Sequence, residues 1–233
     1  MRGKIYLFGD SITESSFKEG GWGASLANHY SRTVDVVLRG YSGYNTRWAL
    51  RVCSQIFPPS DDQSTLAVTL FFGANDASLP DRYAVFQHVP LDEYKENLRS
   101  LISFLKKRFP EAVIVLITPP PVDEEARLLF PYVENTGNLP ERTNEAAGEY
   151  ARACVEVAEG NACPVVDLWG KMQEFEGWKK EFLSDGLHLT AAGQKVVFEE
   201  VVSKLGQNGR KVEDLPVDLP LIEDIYVNGS FQL

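Results

Sequence analysis

Five short runs rich in β-branched and aromatic residues recur along this chain: KIYLF (4–8), VDVVL (34–38), LAVTLFF (66–72), AVIVLIT (112–118) and PVVDL (164–168). Short, mainly apolar runs of this kind suit strands covered on both faces. Helix-like stretches separate them. In LDEYKENLRSLISFLKKRF (91–109), Leu91, Tyr94, Leu98, Leu101, Ile102 and Leu105 fall on one helical face, and Lys106, Lys107 and Arg108 occupy the last turn, where the helix dipole favours cations. A second helix is predicted with Pro140 in its first turn, running to about Val157, and a third from an N-cap at Thr190 through AAGQKVVFEEVVSKL. This alternation predicts an α/β fold with a parallel sheet and helices on both faces, in which ligands bind outside the carboxyl ends of the strands.

A chain of 233 residues buries roughly 70–75% of its unfolded surface, enough to hold a core without disulfide or metal staples. One domain, residues 1–207, is expected. GQNGRK (206–211) breaks the pattern before an apolar and acidic tail, 208–233, that carries Leu215, Val217, Leu219, Leu221, Ile222, Ile225, Tyr226, Val227 and Phe231. Pro216 and Pro220 forbid a regular helix across the start of the tail. An extended arm is expected, packed on its own domain or on a partner subunit in a homodimer. The connection 118–140 is long, and loops of that length in compact domains are often functional.

Cys53, Cys154 and Cys163 are odd in number and outside any C-x-x-C spacing, so neither a disulfide framework nor a zinc site is indicated. With 23 Lys+Arg against 33 Asp+Glu, the net charge of −10 opposes binding to nucleic acid or to anionic lipid, and the acidity reads as solubility. The opening has only a short apolar run, Ile5 to Phe8, and no segment approaches a membrane span, so no stable membrane insertion and a cytoplasmic location are expected.

Four segments carry chemistry, and all fall where an α/β fold places its ligand edge. GDSIT follows the first strand and puts Ser11 where a strand ends and a loop begins; the same residues are ordinary turn formers. RGYSGYNTRWA follows the second strand, where Gly40 and Gly43 are either a glycine turn or a backbone able to approach a ligand and present an N–H group. FFGAND follows the third strand, where Asn75 is either a neutral amide donor or a cap or Asx turn. SDGLHLT precedes the last helix and holds Asp185 three residues before His188, one of only three histidines. An aspartate at that spacing can accept from one imidazole nitrogen while the other faces a serine; the other readings are a capping aspartate and a satisfied histidine. Asp10 is read as structural. Trp22, Trp48, Phe72 and Tyr44 are read as core rather than as an acyl pocket.

Together these segments resemble the SGNH (GDSL-type) hydrolase family, whose four signature residues match Ser11, Gly43, Asn75 and His188 over roughly residues 4–205. The closer likeness is to isoamyl acetate-hydrolysing esterases, through FGDSITE, GWGASLA, RGYSGYNTRWA, FFGANDA and SDGLHLT. The resemblance implies a three-layer, flavodoxin-like fold with a five-stranded parallel sheet. It implies catalytic Ser11, Asp185 and His188, and an oxyanion hole made by the backbone N–H groups of Ser11 and Gly43 and the side-chain amide of Asn75. It further implies hydrolysis of small, fairly apolar esters, such as short-chain acetates like isoamyl acetate, through an acyl-enzyme without metal or cofactor. Deacetylation, thioester or lysophospholipid hydrolysis by the same residues are alternatives, and a non-catalytic binding module is a further one. Segment 119–139 is where the likeness says least about substrate.

Overall fold

Strands β1 (Gly3–Gly9), β2 (Val34–Gly40), β3 (Thr65–Phe71), β4 (Val113–Ile117) and β5 (Val165–Val166) form one sheet in the order β2-β1-β3-β4-β5, with every neighbouring pair parallel. The computed structural model describes residues 2–59, 64–131, 135 and 137–228. Each of the five apolar runs is one of these strands, so the expected five-stranded α/β architecture is observed. The chain reverses direction of winding between β1 and β3, and in such sheets the crevice at the carboxyl edge beside that point is where ligands bind.

The helices are α1 (Ser11–Glu14), α2 (Trp22–His29), α3 (Thr46–Ile56), α4 (Leu91–Arg108), α5 (Glu124–Leu129), α6 (Asn144–Gly160), α7 (Leu168–Gln173), α8 (Trp178–Phe182), α9 (Ala191–Gln207) and α10 (Ile222–Asn228). Because successive strand side chains point to opposite faces, the sheet feeds two cores. Ile5 and Leu7 of β1 with Val115 and Ile117 of β4 pack against Trp22 and Leu26 of α2, Leu168 and Met172 of α7, and Val197 and Val201 of α9. Phe8, Ile114 and Leu116 pack the other way, on Ala49 and Cys53 of α3, Leu98 and Leu101 of α4, and Tyr150 and Val157 of α6. Truncating a fully buried leucine such as Leu101 to alanine costs about 2–5 kcal/mol in cores of this kind. Cys53, Cys154 and Cys163 are buried free thiols.

The apolar face and the last-turn cations of α4 are as expected, and Thr190 caps α9 with its hydroxyl accepting from Gly193 N–H at 3.2 Å. The helix expected from Pro140 begins later. Thr143 is the N-cap of α6, its hydroxyl accepting from Ala146 N–H at 3.1 Å, while Glu141 and Arg142 precede the helix with their side chains buried. The long connection 118–140 contains α5.

The tail runs back along the amino-terminal edge of the sheet. Val212 and Leu215 pack against the core beneath α2 and α9, Asp218 accepts from Arg2 Nε at 2.6 Å, and Arg32 donates to the carbonyls of Leu219 and Pro220. Beyond Pro220 the expected extended arm gives way to α10, since no further proline interrupts the backbone ladder; Ile225 N–H donates to Leu221 C=O at 3.2 Å. The side chains of Val227 and Phe231 lie outside the described residues.

Candidate active site

Three neighbouring strands deliver one segment each to the carboxyl edge. After β1, Asp10 caps α1, its Oδ1 accepting from Ile12 N–H at 2.9 Å, and Ser11 becomes the first helical residue with its hydroxyl outside the sheet. After β2 comes Gly43 at φ +80°, a left-handed conformation that a side chain would strain, so glycine allows the turn that leads into the Asn45 cap of α3. After β3, the turn Gly73–Asp76 carries Asn75, which is buried at 4% exposure.

Asp185 and His188 arrive from the far end of the chain, in the loop before α9. Ser184 N–H donates to His188 C=O at 2.8 Å and closes that loop. Gly186, at φ +86°, lies so close to the segment before α5 that a Cβ would sit 2.4 Å from the Asp123 carbonyl oxygen. The loop is thereby held against the protein, and the tertiary fold brings together residues 177 positions apart: Ser11 Oγ lies 2.9 Å from His188 Nε2. His188 Nδ1 lies 2.7 Å from Asp185 Oδ2, and Asp185 Oδ1 accepts the backbone N–H groups of Leu187 and His188 at 3.0 and 2.7 Å. Burial alone would raise the Asp185 pKa, but hydrogen bonds from His188 and the backbone outweigh it and hold the carboxyl well below its usual range. An ionised carboxylate there favours the tautomer with the proton on Nδ1, which leaves Nε2 free to take a proton from the serine.

The opposite wall is built on buried charge. Asn75 Nδ2 donates to the Tyr44 carbonyl at 2.8 Å, and Asn75 Oδ1 accepts from Arg142 Nη2 at 3.0 Å. The same guanidinium nitrogen donates to Gln87 Oε1 at 2.7 Å, and Gln87 Nε2 donates to the Gly43 carbonyl at 3.2 Å. Glu141 Oε1 accepts from Arg142 Nη1 at 2.7 Å and from Arg127 Nε at 2.8 Å, and Arg127 Nη1 reaches the Asp185 carbonyl and Oδ2 at 3.1 Å. Burial works to raise the Glu141 pKa, yet Arg142 and Arg127 overcome it and hold the carboxyl below its ordinary value. Two arginines thus face two carboxylates, so the charge is balanced where it is out of water.

Behind the wall, Asp76 Oδ1 accepts from the backbone N–H of Thr46 at 2.9 Å and from its hydroxyl, tying the start of α3 to the turn that carries Asn75. Burial pushes the Asp76 carboxyl up to about 7 and that of Asp10 up to about 6, against the opposing hydrogen bonds from Thr46 and Ile12.

Two cavities meet at Ser11 and His188. The smaller, about 50 Å³, is lined by Ser42, Gly43, Asn75, Gln87, Arg127, Arg142 and Leu187. The larger, about 420 Å³, has a mixed and largely polar lining that includes Glu14, Lys18, Glu19, Gln194, Ile12 and Leu189. None of Trp22, Trp48, Phe72 and Tyr44 lines either cavity, and Trp22 and Phe72 are buried. Among the described residues no group of three His, Cys, Asp or Glu side chains is placed to hold a metal ion.

All five expected site residues, Ser11, Gly43, Asn75, Asp185 and His188, are brought to this one place. Four that sequence reasoning missed stand with them: Gln87, Arg127, Glu141 and Arg142. Arg127 and Gln87 had no local signal. Glu141 and Arg142 fall within the helix expected from Pro140, and the late start of α6 places them before it with their side chains buried.

The chain matches the family model of GDSL-like lipases and acylhydrolases over residues 5–201. It is 64% identical over 228 residues to a GDSL esterase/lipase of Arabidopsis thaliana, covering 97% of this chain and 95% of that protein. It is 44% identical over 224 residues to the isoamyl acetate-hydrolyzing esterase 1 homolog of Bos taurus, covering 95% of this chain and 88% of that protein. Among solved structures, the lipase/acylhydrolase from Enterococcus faecalis superposes with a TM-score of 0.68 at 26% identity, over 94% of this chain and all of the other. Among the described residues no helix is long and apolar enough to cross a membrane.

Proposed function

The chain belongs to the GDSL-like lipase/acylhydrolase family and is a carboxylic ester hydrolase, and on that premise we propose that it cleaves small acetate esters through an acyl-enzyme on Ser11. The observation that carries this reading is the unbroken run from Ser11 Oγ to His188 to Asp185 at 2.9 and 2.7 Å, placed at the mouth of a cavity that Gly43 and Asn75 also line.

Ser11 attacks the ester carbonyl as His188 Nε2 takes its proton, and Asp185 stabilises the imidazolium that forms. The negative charge that develops on the carbonyl oxygen is met by the backbone N–H groups of Ser11 and Gly43 and by the Asn75 amide, donors already in place and needing no reorganisation. His188 then protonates the departing alcohol, and in the second half it draws a proton from water to release the acid.

The dimensions favour a short acyl group. The smaller cavity, about 50 Å³ beside Gly43 and Asn75, suits a short acyl chain better than a long one. The name of the bovine relative points the same way, to an acetate ester. A second reading, deacetylation of a more polar acetylated compound, is favoured by Glu14, Lys18, Glu19 and Gln194 in the larger cavity, where the alcohol portion would lie.

A serine-directed fluorophosphonate followed by a panel of esters, varied separately in acyl and alcohol parts, tests both. Labelling at Ser11 with activity falling steeply beyond short acyl chains is expected; absence of labelling, or preference for long acyl chains, would sink the acetate reading. Faster turnover of isoamyl acetate than of acetylated polyols supports the first reading, and the reverse supports the second.

A further inference from the structure

The geometry points to Arg142 as the positioning residue of the oxyanion hole, acting on Asn75 directly and on Gly43 through Gln87. This rests on the reading of Ser11, Gly43 and Asn75 as the site of ester cleavage.

An asparagine side chain has two ends of similar shape and opposite polarity, so the hydrogen bonds around it decide which end faces where. At Asn75 the neighbours leave one choice. The Tyr44 carbonyl can only accept, and it is met by Nδ2 at 2.8 Å; the Arg142 guanidinium can only donate, and it is met by Oδ1 at 3.0 Å. A flipped amide would set oxygen against oxygen and N–H against N–H in a site that is almost wholly buried. Nδ2 carries two hydrogens, and Tyr44 takes one. The second is left for the cavity shared with Ser11 and His188. Without Arg142 the Tyr44 contact alone holds the amide, and its oxygen loses the partner that keeps it turned away from the developing negative charge.

Arg142 Nη2 spends its other hydrogen on Gln87 Oε1 at 2.7 Å, and Gln87 Nε2 donates to the Gly43 carbonyl at 3.2 Å. One guanidinium nitrogen therefore references both the side-chain donor and, one Cα away through the Gly43 carbonyl, the residue whose N–H is the second backbone donor. The guanidinium is itself fixed, by Nε to the Ala74 carbonyl at 2.8 Å and Nη1 to Glu141 at 2.7 Å. Four acceptors in fixed directions need the planar fork of an arginine; a lysine ammonium at the same place keeps the charge opposite Glu141 but cannot meet all four.

The test is a double-mutant cycle between Arg142→Lys and Asn75→Ala on a short acetate ester, with thermal stability measured for every variant. Arg142→Lys is expected to lower kcat about 10- to 100-fold with KM within about threefold, since the donors act on the oxyanion and not on bound substrate. In the Asn75→Ala background the same change should cost less than about threefold further, because the residue it positions is gone. An unchanged kcat, or an equal loss in both backgrounds, overturns the proposal. A second variant guards against a folding defect: Gln87→Met leaves the Arg142–Glu141 pair intact and should lower kcat about threefold to tenfold while the protein still unfolds cooperatively above the assay temperature, and no loss in kcat would remove the Gly43 arm of the proposal. An activity-free readout separates this inference from the reading beneath it. The side-chain amide resonances of Asn75, assigned by their disappearance in Asn75→Ala, should shift or broaden in Arg142→Lys while those of Asn97 stay. If the wild type hydrolyses no ester, the acetate reading fails; if the Asn75 amide signals are unmoved in Arg142→Lys, the positioning role fails, whatever the activity.

Discussion

On one side of Ser11, His188 and Asp185 stand in a loop with their side chains 39% and 27% exposed; on the other, Asn75 is 4% exposed and backed by Glu141 and Arg142, which are 0% and 3% exposed. On the proposed reading the first side handles protons, which must reach water or a departing alcohol, and it is held by short hydrogen bonds within one loop. The second side would present donors to a charge that exists only in the transition state, and it is held by a charge-balanced cluster drawn from distant parts of the chain. Exposure suits exchange of protons, whereas burial in a low-dielectric wall strengthens fixed dipoles and keeps them from turning with solvent. Arg127 bridges the two sides, touching both Glu141 and Asp185.

The contrast breaks most visibly at the serine. Ser11→Ala should fold normally and lose on the order of 10⁴–10⁶-fold in kcat, by analogy with removal of other triad nucleophiles; turnover near that of the wild type would end the acyl-enzyme mechanism. Asp185→Asn keeps the size of the side chain but removes the charge that fixes the His188 tautomer, and about a 10²–10⁴-fold loss in kcat is expected. Steady-state kinetics should place that loss in kcat rather than in KM. On the buried side, Asn75→Ala should cost roughly 10²–10³-fold, mainly in kcat. A change confined to KM would make Asn75 a substrate-binding residue instead.

The smaller effects concern stability and pH, and here the two sides differ in sign. Asp185 is held below its ordinary pKa, so its contribution is present above the unfolded value of about 3.9 and is lost as pH falls through the folded value. Asp76 and Asp10 are pushed up to about 7 and about 6, so their contribution is present below the unfolded value and is lost as pH rises through that range. Asp76→Asn retains an oxygen for Thr46 and removes the buried charge. Its melting temperature relative to the wild type should therefore climb by a few degrees between about pH 4 and pH 7 and level off above that, given about 2–4 °C per kcal/mol for a domain of this size. A difference that stays flat or falls over that range would contradict the burial argument. Weakest of all should be removal of residues 216–233, of which Asp218, Leu219 and Pro220 contact Arg2 and Arg32 at the sheet edge opposite the site. kcat/KM is expected to stay within about threefold, and a larger loss would tie the tail to the chemistry.

The strands and the main helices were legible because each leaves a local mark, and the five candidate site residues because four such marks fall together at one sheet edge. A strand covered on both faces must be apolar along its length. A helix dipole selects Lys106, Lys107 and Arg108 at one end of α4, and the turn after β2 admits Gly43 at a positive φ. Gln87, Arg127, Glu141 and Arg142 leave none. Buried charges are recognisable only by their partners, and these partners lie as far as 68 positions away, as Ala74 does from Arg142.

The start of α6 illustrates the limit. Proline is favoured at a first helical position, and Pro140 qualifies as well as Thr143 does by any local measure. The hydroxyl of Thr143 prevails because beginning the helix there leaves Glu141 and Arg142 free to turn inward, where Arg127 and Asn75 wait for them. By itself, then, the sequence determines the order of elements and the sheet edge where chemistry gathers, and through its family resemblance it nominates the serine, histidine, aspartate and amide. The tertiary structure alone decides that a glutamate and two arginines stand behind that amide, because a charge leaves water only when the fold has already assembled its counter-charges around it.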